Sequence, residues 1–372
     1  MNGSGTSTVV AQALGYCAIG FDLNPAMAWI AGAKDASAAH WVDLDALLND
    51  YVRDAPATGS LPSVANTWMS GEAYSRLAAL VSAASVPVGE LDWADPLLAL
   101  VAEVDLTSGR RSFLPACALL SVRALAPPTR RSNPTWLGPP VRRKRRLVAI
   151  DTVLKRRAYT MKCDLESAFL PADKRRLLVG LADARRLPLP DDCVDAVISS
   201  PPYVTRLDYA ASTAPELALL GVDGQSRLEP LRRKLIGSPI TCGFEAANEV
   251  VDCRGVLKLL NAIRCHDSKA SDGYYSRFFV HYFRDAQRLL REIGRVLKPS
   301  GAAMLVVQDS WYKDIHVPLG ELFLELAESI GLSGRIAQSE LVRYTLTTIN
   351  PRAKAYNKGS VHEHVLLLRS SS

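Results

Sequence analysis

The sequence predicts an α/β fold in which a mostly parallel sheet is interrupted by a helical insertion. Short apolar stretches that end in a polar residue alternate with segments of helical spacing in the first 35 residues and again after residue 176, as strand and helix units of a parallel sheet do. Between these two parts the chain is rich in Ala and Leu at helical spacing. With 372 residues, 48% of them hydrophobic, the chain is long enough to bury a sizeable core in about two domains.

The first part of the predicted sheet domain covers residues 1–35. A helix is predicted over 8–14, and the short apolar stretch 17–22 predicts a buried strand that ends in an acid. The helical insertion with its basic exit segment is predicted to span 36–176. Three of its segments have apolar residues at helical spacing: 44–51, 77–81 and 97–101.

Residues 177–372 form the second part of the predicted sheet domain. Its strands and helices alternate and are bounded by Pro, Gly and Ser residues. The predicted strands lie at 177–183, 194–200, 302–307 and 361–368, and the predicted helices at 273–297 and 319–330. Because strands alternate with helices, we expect the sheet to be mostly parallel.

Composition excludes several classes of protein. The seven cysteines are odd in number and include no C-x-x-C pair, which argues against a disulfide framework and a zinc ribbon and favours a reducing compartment. No apolar run is long enough to span a membrane, and the first residues lack the basic leading region of a secretory signal. We therefore expect a cytoplasmic protein with no membrane contact and no metal site.

The net charge of +6 conceals a strong asymmetry along the chain. Residues 1–128 hold 6 basic and 12 acidic residues, whereas residues 129–186 hold 16 basic and 5 acidic ones. The densest block consists of Arg142, Arg143, Lys144, Arg145 and Arg146. Such a block suits a polyanion, because each phosphate neutralised releases counterions. A solvated, flexible basic linker is the alternative.

A candidate ligand loop lies near the start of the chain. It consists of Gly3, Ser4, Gly5 and Thr6. Glycines let the backbone approach a ligand closely, and the helix that follows offers unpaired N–H groups; a structural turn accounts for the same pattern. Asp22 ends the next strand, where a carboxylate can accept hydrogen bonds from both hydroxyls of a ribose. A helix cap is the alternative role of Asp22.

Two further strand ends carry candidate functional residues. A carboxylate at Asp183 can bind the exocyclic amine of an adenine, unless it caps a helix. The next strand runs directly into Ser200, Pro201, Pro202 and Tyr203. Successive prolines have a fixed φ and no N–H to donate, so this loop is stiff and offers only carbonyl acceptors, which suits the binding of an –NH2 group. Ligand crevices lie beyond the carboxyl ends of parallel strands, so we expect these features to converge.

Three downstream patterns allow more than one interpretation. Arg206 either holds a phosphate beside the ligand or forms a salt bridge with Asp208 or another acid. Aromatic residues recur at helical spacing over 274–283, which favours packing against the sheet over base stacking. His362 and His364 share one face of the last strand, and without further ligands we expect no metal there.

Four segments resemble the successive motifs of S-adenosylmethionine-dependent DNA methyltransferases that act on exocyclic amines. They are NGSGT at 2–6, FDLNP at 21–25, ADARRLP at 182–188 and SPPY at 200–203. The sequence RVLKPSG at 295–301 is also similar to the turn before the fifth strand of that family. The resemblance covers about residues 1–30 and 178–372. It implies a Rossmann-like class I methyltransferase sheet with a helical insertion.

The resemblance also implies how the site residues act. S-adenosylmethionine is expected to bind at Gly3, Ser4, Gly5, Thr6, Asp22 and Asp183. The target base is expected to flip out of the duplex, with its amine held by the Ser200 hydroxyl and the Pro201 carbonyl. Tyr203 is expected to stack on the base, and positioning alone then favours direct, in-line methyl transfer. The basic block 142–146 and Arg206 are expected to contact DNA.

The resemblance further implies a substrate and partners. A serine at the first position of the SPPY motif is associated with N4 of cytosine in this family, so we expect N4-cytosine rather than N6-adenine methylation. The expected role is to mark a short sequence in double-stranded DNA, in restriction–modification or phage defence, with a cognate restriction endonuclease as partner. Two alternatives stay open: methylation of an RNA base amine, and a catalytically silent nucleic-acid-binding subunit. The helical insertion with its basic exit segment, residues 36–176, is a candidate for DNA binding and target recognition, and residues 221–272 are a second candidate for target recognition.

The position of the glycine loop leads to one more expectation. In the family this loop follows a central first strand, and here Gly3 is the third residue, so the first strand is expected to be missing from the N-terminus. A sheet without its central strand exposes two unpaired inner edges. We favour a start upstream of Met1. Two alternatives are a strand supplied by another polypeptide and a chain that is compromised as a free-standing methyltransferase.

Overall fold

The computed structural model describes residues 1–34, 71–82, 109–125, 150–167, 177–222, 224–240, 251, 253–343, 356 and 359–370. The chain forms two compact units. Unit 1 consists of Met1–Asp183 and Ala210–Leu231, and unit 2 of Ala184–Tyr209 and Arg232–Ser372. The domain boundaries predicted after residues 35 and 176 divide the chain differently and stay predictions.

The described elements begin with helices and strands that largely match the predicted ones. In chain order they are α1 (Thr6–Ala13), β1 (Ala18–Asp22), α2 (Pro25–Gly32), α3 (Gly71–Ser82), α4 (Gly109–Leu125), α5 (Ile150–Ser167), β2 (Leu177–Leu181), β3 (Val194–Ser199), α6 (Tyr209–Ser212), α7 (Ala214–Leu219) and α8 (Gly224–Lys234). They continue with α9 (Arg254–Arg264), a π-helical turn (Ser271–Tyr275), α10 (Ser276–Val296), β4 (Leu297–Gln308), β5 (Ser310–Tyr312), β6 (Ile315–Val317), α11 (Leu319–Glu328), β7 (Leu332–Leu341) and β8 (His362–Ser370).

Unit 1 contains a parallel pair of strands. β1 and β2 pair in register from Ala18 opposite Leu177 to Asp22 opposite Leu181. Within the described residues β1 pairs with no other strand, although the Asn2 N–H donates to the Phe21 carbonyl at 2.8 Å. The expectation of a further strand at this edge stays a prediction.

The helices of unit 1 pack through small and aliphatic residues. In α2 almost every side chain is buried, and several are alanines, so its neighbours can approach it closely. Leu77, Leu80 and Val81 of α3 are buried, which confirms the apolar spacing predicted over 77–81. The other two such segments, 44–51 and 97–101, lie outside the described residues.

Ion pairs join the helices that unit 1 draws from distant parts of the chain. Arg76 of α3 lies 2.6 Å from Asp151 of α5. Arg123 of α4 donates to the Glu216 carboxylate of α7, with a distance of 3.0 Å between Nη2 and Oε2. Burial raises the pKa of Glu216, and the Arg123 guanidinium opposes that rise. These contacts attach the end of α4 to the segment that follows the Ser200–Tyr203 loop.

Unit 2 contains a four-stranded mixed sheet in the order β3, β4, β8, β7. β3 and β4 are parallel, whereas β8 is antiparallel to both β4 and β7. The prediction of a mostly parallel sheet is therefore right for β1–β2 and β3–β4 and wrong for β7 and β8. The reason lies in β7, whose side chains are nearly all exposed, so that no apolar run reveals this strand in the sequence.

Helix α10 holds the segment that leads into β3. Arg185, just after β2, pairs with the buried Asp285 at 2.7 Å. Arg295 near the end of α10 donates to the Leu189 carbonyl at 2.8 Å and to Asp191 at 2.6 Å. These contacts fix the course of residues 184–193 and so the position at which β3 starts.

Of the helices that the structure describes, none has the length and apolar character needed to cross a membrane.

Candidate functional site

The glycine loop, residues 2–6, makes a tight left-handed turn into α1. Gly3 and Gly5 have φ values of 56° and 84°, a region that glycine enters without steric cost. A Cβ at Gly5 would lie 2.7 Å from the Cβ of Ala31 in α2, so this position is closed to larger residues. At Gly3 a Cβ would meet nothing within 4 Å. The loop is thus packed on one side and open at Gly3.

The start of α1 offers groups that can bind an anion. No side chain caps this helix, and Ser4 and Thr6 are exposed. Unpaired N–H groups and the positive end of the helix dipole favour a negatively charged group at such a start.

Asp22 is buried and supports the glycine loop directly. Its Oδ2 accepts the Gly3 N–H at 2.8 Å, and its Oδ1 accepts the Asn24 N–H at 2.9 Å. The N-cap of α2 is Asn24, whose side chain accepts the Ala26 N–H at 3.1 Å, so the helix-cap alternative for Asp22 is wrong. Each carboxylate oxygen has a second lone pair, which leaves capacity for a ligand hydroxyl.

Asp183 lies at the same end of the unit 1 sheet as Asp22. Asp22 is opposite Leu181 in the parallel pair, and Asp183 comes two residues later, buried. Turns and bends occupy the residues between Asp183 and β3. No helix begins there, so the capping alternative is wrong for Asp183 as well.

The loop Ser200–Tyr203, named the catalytic loop after the role that the sequence predicts for it, follows β3 in unit 2. Pro201 and Pro202 are buried and Ser200 is exposed. The fully buried Tyr282 of α10 donates its hydroxyl to the Pro202 carbonyl at 2.7 Å. Within the described residues no donor reaches the Pro201 carbonyl. The Ser200 Oγ donates to the Val306 carbonyl at 3.3 Å and lies 3.4 Å from the Tyr203 Oη. The loop therefore offers a free carbonyl next to an exposed hydroxyl.

A carboxylate on β8 holds the tyrosine of the catalytic loop. The Tyr203 hydroxyl donates to Oε1 of Glu363 at 2.8 Å. Burial, together with this bond, raises the pKa of Tyr203 to about 12, against the opposing effect of Ser200. The sequence did not identify Glu363, which lies between His362 and His364, as a site residue. The alternation of β8 is the signal that could have found it, since Glu363 points to the opposite face.

His364 of β8 and His316 of β6 lie close to the same buried carboxylate. The Nε2 atoms of His364 and His316 lie 3.2 and 3.3 Å from Oδ2 of the buried Asp309. Among the described residues no group of three or more His, Cys, Asp or Glu side chains could hold a metal ion.

Arg206 follows the catalytic loop but does not pair with Asp208. That carboxylate lies 2.5 Å from Nη2 of Arg232. The Arg206 guanidinium instead lies over the ring of Tyr275, 4.8 Å from its centroid. The salt bridge with Asp208 that the sequence allowed is therefore wrong, whereas the phosphate contact stays a prediction.

The aromatic residues at 274–283 divide into two groups. Four of them lie buried on α10, which confirms packing as their role: Phe278, Phe279, Tyr282 and Phe283. Tyr274 and Tyr275 precede α10 in the π-helical turn and are half-buried.

The sequence-predicted residues are divided between the units. The candidate cofactor residues lie in unit 1, and the catalytic loop and Arg206 lie in unit 2. The basic block Arg142–Arg146 lies outside the described residues.

A family model and several curated relatives match parts of this chain. Residues 246–305 match a family model described as a methyltransferase domain. The chain is 27% identical over 153 residues to the type II methyltransferase M.AvaI of Nostoc sp. (strain PCC 7120 / SAG 25.82 / UTEX 2576), covering 38% of this chain and 31% of the relative. The protein of the same name from Anabaena variabilis gives the same values.

A third relative is the type II methyltransferase M.BsoBI of Geobacillus stearothermophilus. It is 25% identical over 189 residues, which cover 45% of this chain and 37% of the relative. The chain thus spans about a third of the length of these relatives, 31% for M.AvaI and 37% for M.BsoBI. Its homology to type II methyltransferases holds at low identity, and the methyltransferase-domain match implies a Rossmann-like class I fold.

Proposed function

We propose that this chain is an S-adenosylmethionine-dependent DNA methyltransferase that acts on an exocyclic amine, with N4 of cytosine preferred to N6 of adenine. The observation that carries the proposal is the catalytic loop. A free Pro201 carbonyl and an exposed Ser200 hydroxyl stand beside a tyrosine ring that Glu363 holds. The methyltransferase-domain match and the type II methyltransferase relatives support the same chemistry.

The residues of unit 1 fit the cofactor in kind. Its carboxylate suits the uncapped start of α1 beside Ser4 and Thr6. Its ribose hydroxyls suit Asp22, and its adenine amine suits Asp183. Gly3 leaves open space where the chain must come close to the cofactor. When bound, the cofactor supplies an electrophilic methyl group whose carbon–sulfur bond breaks, the electron pair staying on sulfur, as the amine nitrogen forms the new bond.

The residues of the catalytic loop orient the amine. The Ser200 hydroxyl and the Pro201 carbonyl accept its two N–H groups, which directs the nitrogen lone pair out of the plane of the base. Tyr203 stacks on the flipped base. Because the pKa of Tyr203 is raised to about 12, this residue stays protonated and takes up no proton from the amine. The surplus proton passes to solvent through the exposed Ser200 hydroxyl, which takes up the amine proton as it gives its own proton to water. Positioning thus supplies most of the rate.

The preference for cytosine rests on Ser200. In the family that the sequence resembles, a serine at this position is associated with N4 of cytosine. The proposed biological role, marking a recognition sequence against a cognate restriction endonuclease, rests on the names of the relatives.

The direct test is to incubate the chain with labelled S-adenosylmethionine and duplex DNA of varied sequence and to digest the product to nucleosides. We expect labelled N4-methylcytosine with the wild type and none with Ser200→Ala. Lys298→Gln is a matched control, because Lys298 pairs with the exposed Asp195 at the other end of β4. Absence of both N4-methylcytosine and N6-methyladenine would overturn the proposal.

Two further experiments separate the alternatives. If RNA competes with DNA for the label and carries it, the substrate is an RNA base amine. If Ser200→Ala leaves function in cells unchanged while removal of residues 142–146 abolishes it, the chain is a silent binding subunit. Protection of the methylated DNA from an endonuclease tests the restriction–modification role.

A further inference from the structure

Two cations of unit 2 converge on one tyrosine next to the catalytic loop. Arg206 lies 4.8 Å from the centroid of the Tyr275 ring and 5.7 Å from that of Tyr274. The ammonium group of Lys313 lies 5.9 Å from the centroid of the same Tyr275 ring and 4.8 Å from that of Tyr356. Residues more than 100 positions apart in the sequence thus place their charges on one aromatic surface.

Both cations occupy backbone positions that favour glycine. Arg206 has a φ of 57° and Lys313 a φ of 58°. Lys313 is the first residue of the two-residue turn between β5 and β6, where hairpins with a positive φ usually carry glycine. Non-glycine residues held in this conformation cluster at functional sites. Two long cationic side chains thus occupy such positions beside the same aromatic surface.

The nearby carboxylates bind other partners. Asp208 pairs with Arg232 at 2.5 Å. Asp314, the residue after Lys313, lies 2.7 Å from Nε2 of His266. In the part of the chain that the structure describes, neither Arg206 nor Lys313 forms an ion pair with a carboxylate. The two cations therefore keep their charge available for an anion.

We infer that Arg206 and Lys313, supported by Tyr274 and Tyr275, bind a phosphate of the DNA backbone beside the target nucleotide. This inference rests on the proposed function. Arg206 follows Tyr203 by three residues, so a phosphate held there belongs to the stretch of backbone that enters the catalytic loop. We expect this surface to bind a phosphate and not a base, because the Arg206 guanidinium already occupies the face of the Tyr275 ring on which a base would stack. Arg206 is exposed, so its N–H groups can still donate to an anion while the guanidinium lies over the ring.

The test measures the affinity for duplex DNA at several salt concentrations, with S-adenosylhomocysteine present so that no methyl transfer occurs. Each phosphate contact contributes about 1 to the slope of log K against log salt. We expect Arg206→Gln and Lys313→Gln each to lower that slope by about 1 and to weaken binding about 10-fold on all sequences. Lys298→Gln, the control outside this surface, keeps the wild-type slope.

Glycine variants at the same two positions test whether any loss of DNA affinity is caused by misfolding. Arg206→Gly and Lys313→Gly suit the positive φ, so we expect them to fold with an unchanged or higher Tm and yet to lose the same share of the salt slope. If the variants keep the wild-type slope on DNA that the wild type binds and methylates, the inference is wrong and the proposed function stands. If the wild type neither binds nor methylates DNA, both are wrong. If the slope depends on Arg206 and Lys313 without any methylation, only the proposed function is wrong.

Discussion

The glycine loop of unit 1 and the catalytic loop of unit 2 are held in place by different means. The contacts of the glycine loop are local. Asp22 binds the Gly3 N–H, and the Thr8 hydroxyl donates to the Gly5 carbonyl at 3.0 Å. The turn itself depends on the positive φ of its two glycines. Residues that lie within the first 22 positions therefore fix most of this loop.

The contacts of the catalytic loop come from distant elements. Tyr282 of α10, which binds the Pro202 carbonyl, is 80 residues away, and Glu363 of β8, which binds Tyr203, is 160 residues away. The local constraints on this loop are its prolines and the Thr205 N–H, which donates to the Tyr203 carbonyl at 2.7 Å. A loop held in this way depends on the whole of unit 2, whereas the glycine loop depends on its own sequence.

The largest expected effect tests the catalytic loop itself. Tyr203→Ala removes the ring that stacks on the base and the hydroxyl that binds Glu363. We expect kcat for methyl transfer to fall about 100-fold, since misplacing a substrate by about 1 Å has an effect of this size. Single-turnover assays with saturating cofactor measure it. A Tyr203→Ala enzyme as fast as the wild type would show that the loop does not position the base.

The next effect tests the local origin of the glycine loop. Gly5→Ala forces a left-handed conformation and places a Cβ 2.7 Å from that of Ala31. We expect the free energy of unfolding to fall by about 2 kcal/mol or more, with weaker cofactor binding. Gly3→Ala is the matched control: it shares the positive φ but has open space, so we expect about 1 kcal/mol. Urea unfolding compares the two, and equal losses would contradict the close packing at Gly5.

A smaller effect tests the long-range support of the catalytic loop. Glu363→Ala removes the acceptor of the Tyr203 hydroxyl, and we expect kcat to fall about 10-fold, which corresponds to about 1.4 kcal/mol. Glu363→Gln retains an acceptor oxygen and should restore most of the rate. The KM for cofactor should stay unchanged in both, because the side chain of Glu363 binds the Tyr203 hydroxyl of the catalytic loop. Equal kcat values for the wild type, Glu363→Ala and Glu363→Gln would show that Glu363 does not position Tyr203.

The smallest effect concerns pH. Burial raises the pKa of Tyr203 from 10.0 to about 12, so the folded protein favours the neutral phenol. Because the pKa of Tyr203 is higher in the folded than in the unfolded protein, the neutral phenol contributes to the stability of the folded state. This contribution is fully present below about pH 10 and is lost as the pH rises from about 10 to about 12. We expect the stability of the wild type relative to Tyr203→Phe to be constant from pH 7 to about 10 and to fall above it. A difference that already changes below about pH 9 would contradict the burial of the phenol.

The helices and strands that could be predicted are those whose apolar residues form a recognisable pattern in the sequence. The strands before Asp183 and Ser200, helix α10 and the last strand were all expected close to their observed bounds, because the strands carry short apolar runs and the helix carries apolar residues at helical spacing. Strand β7 was not expected, since nearly all its side chains are exposed. Without it the antiparallel pairing of β8 could not be foreseen.

Candidate site residues divide in the same way. The motifs identify Asp22, Ser200 and Tyr203 because each stands at the end of an apolar strand. Nothing in the local sequence links Tyr203 to Glu363, or Arg206 to Lys313. The salt bridge of Arg206 with Asp208 was a reasonable expectation from proximity in sequence, yet Arg232 is the residue that pairs with Asp208.

The sequence by itself determines the strand–helix units, the left-handed turn at Gly3 and Gly5 and the stiff loop at Pro201 and Pro202. These features follow from hydrophobic periodicity and from the backbone limits of glycine and proline, which act over a few residues. Only the tertiary structure decides which acceptors of the catalytic loop stay free and which cations meet at Tyr275. Those outcomes depend on contacts between residues far apart in the chain, and such contacts form only when the sheet and its helices pack.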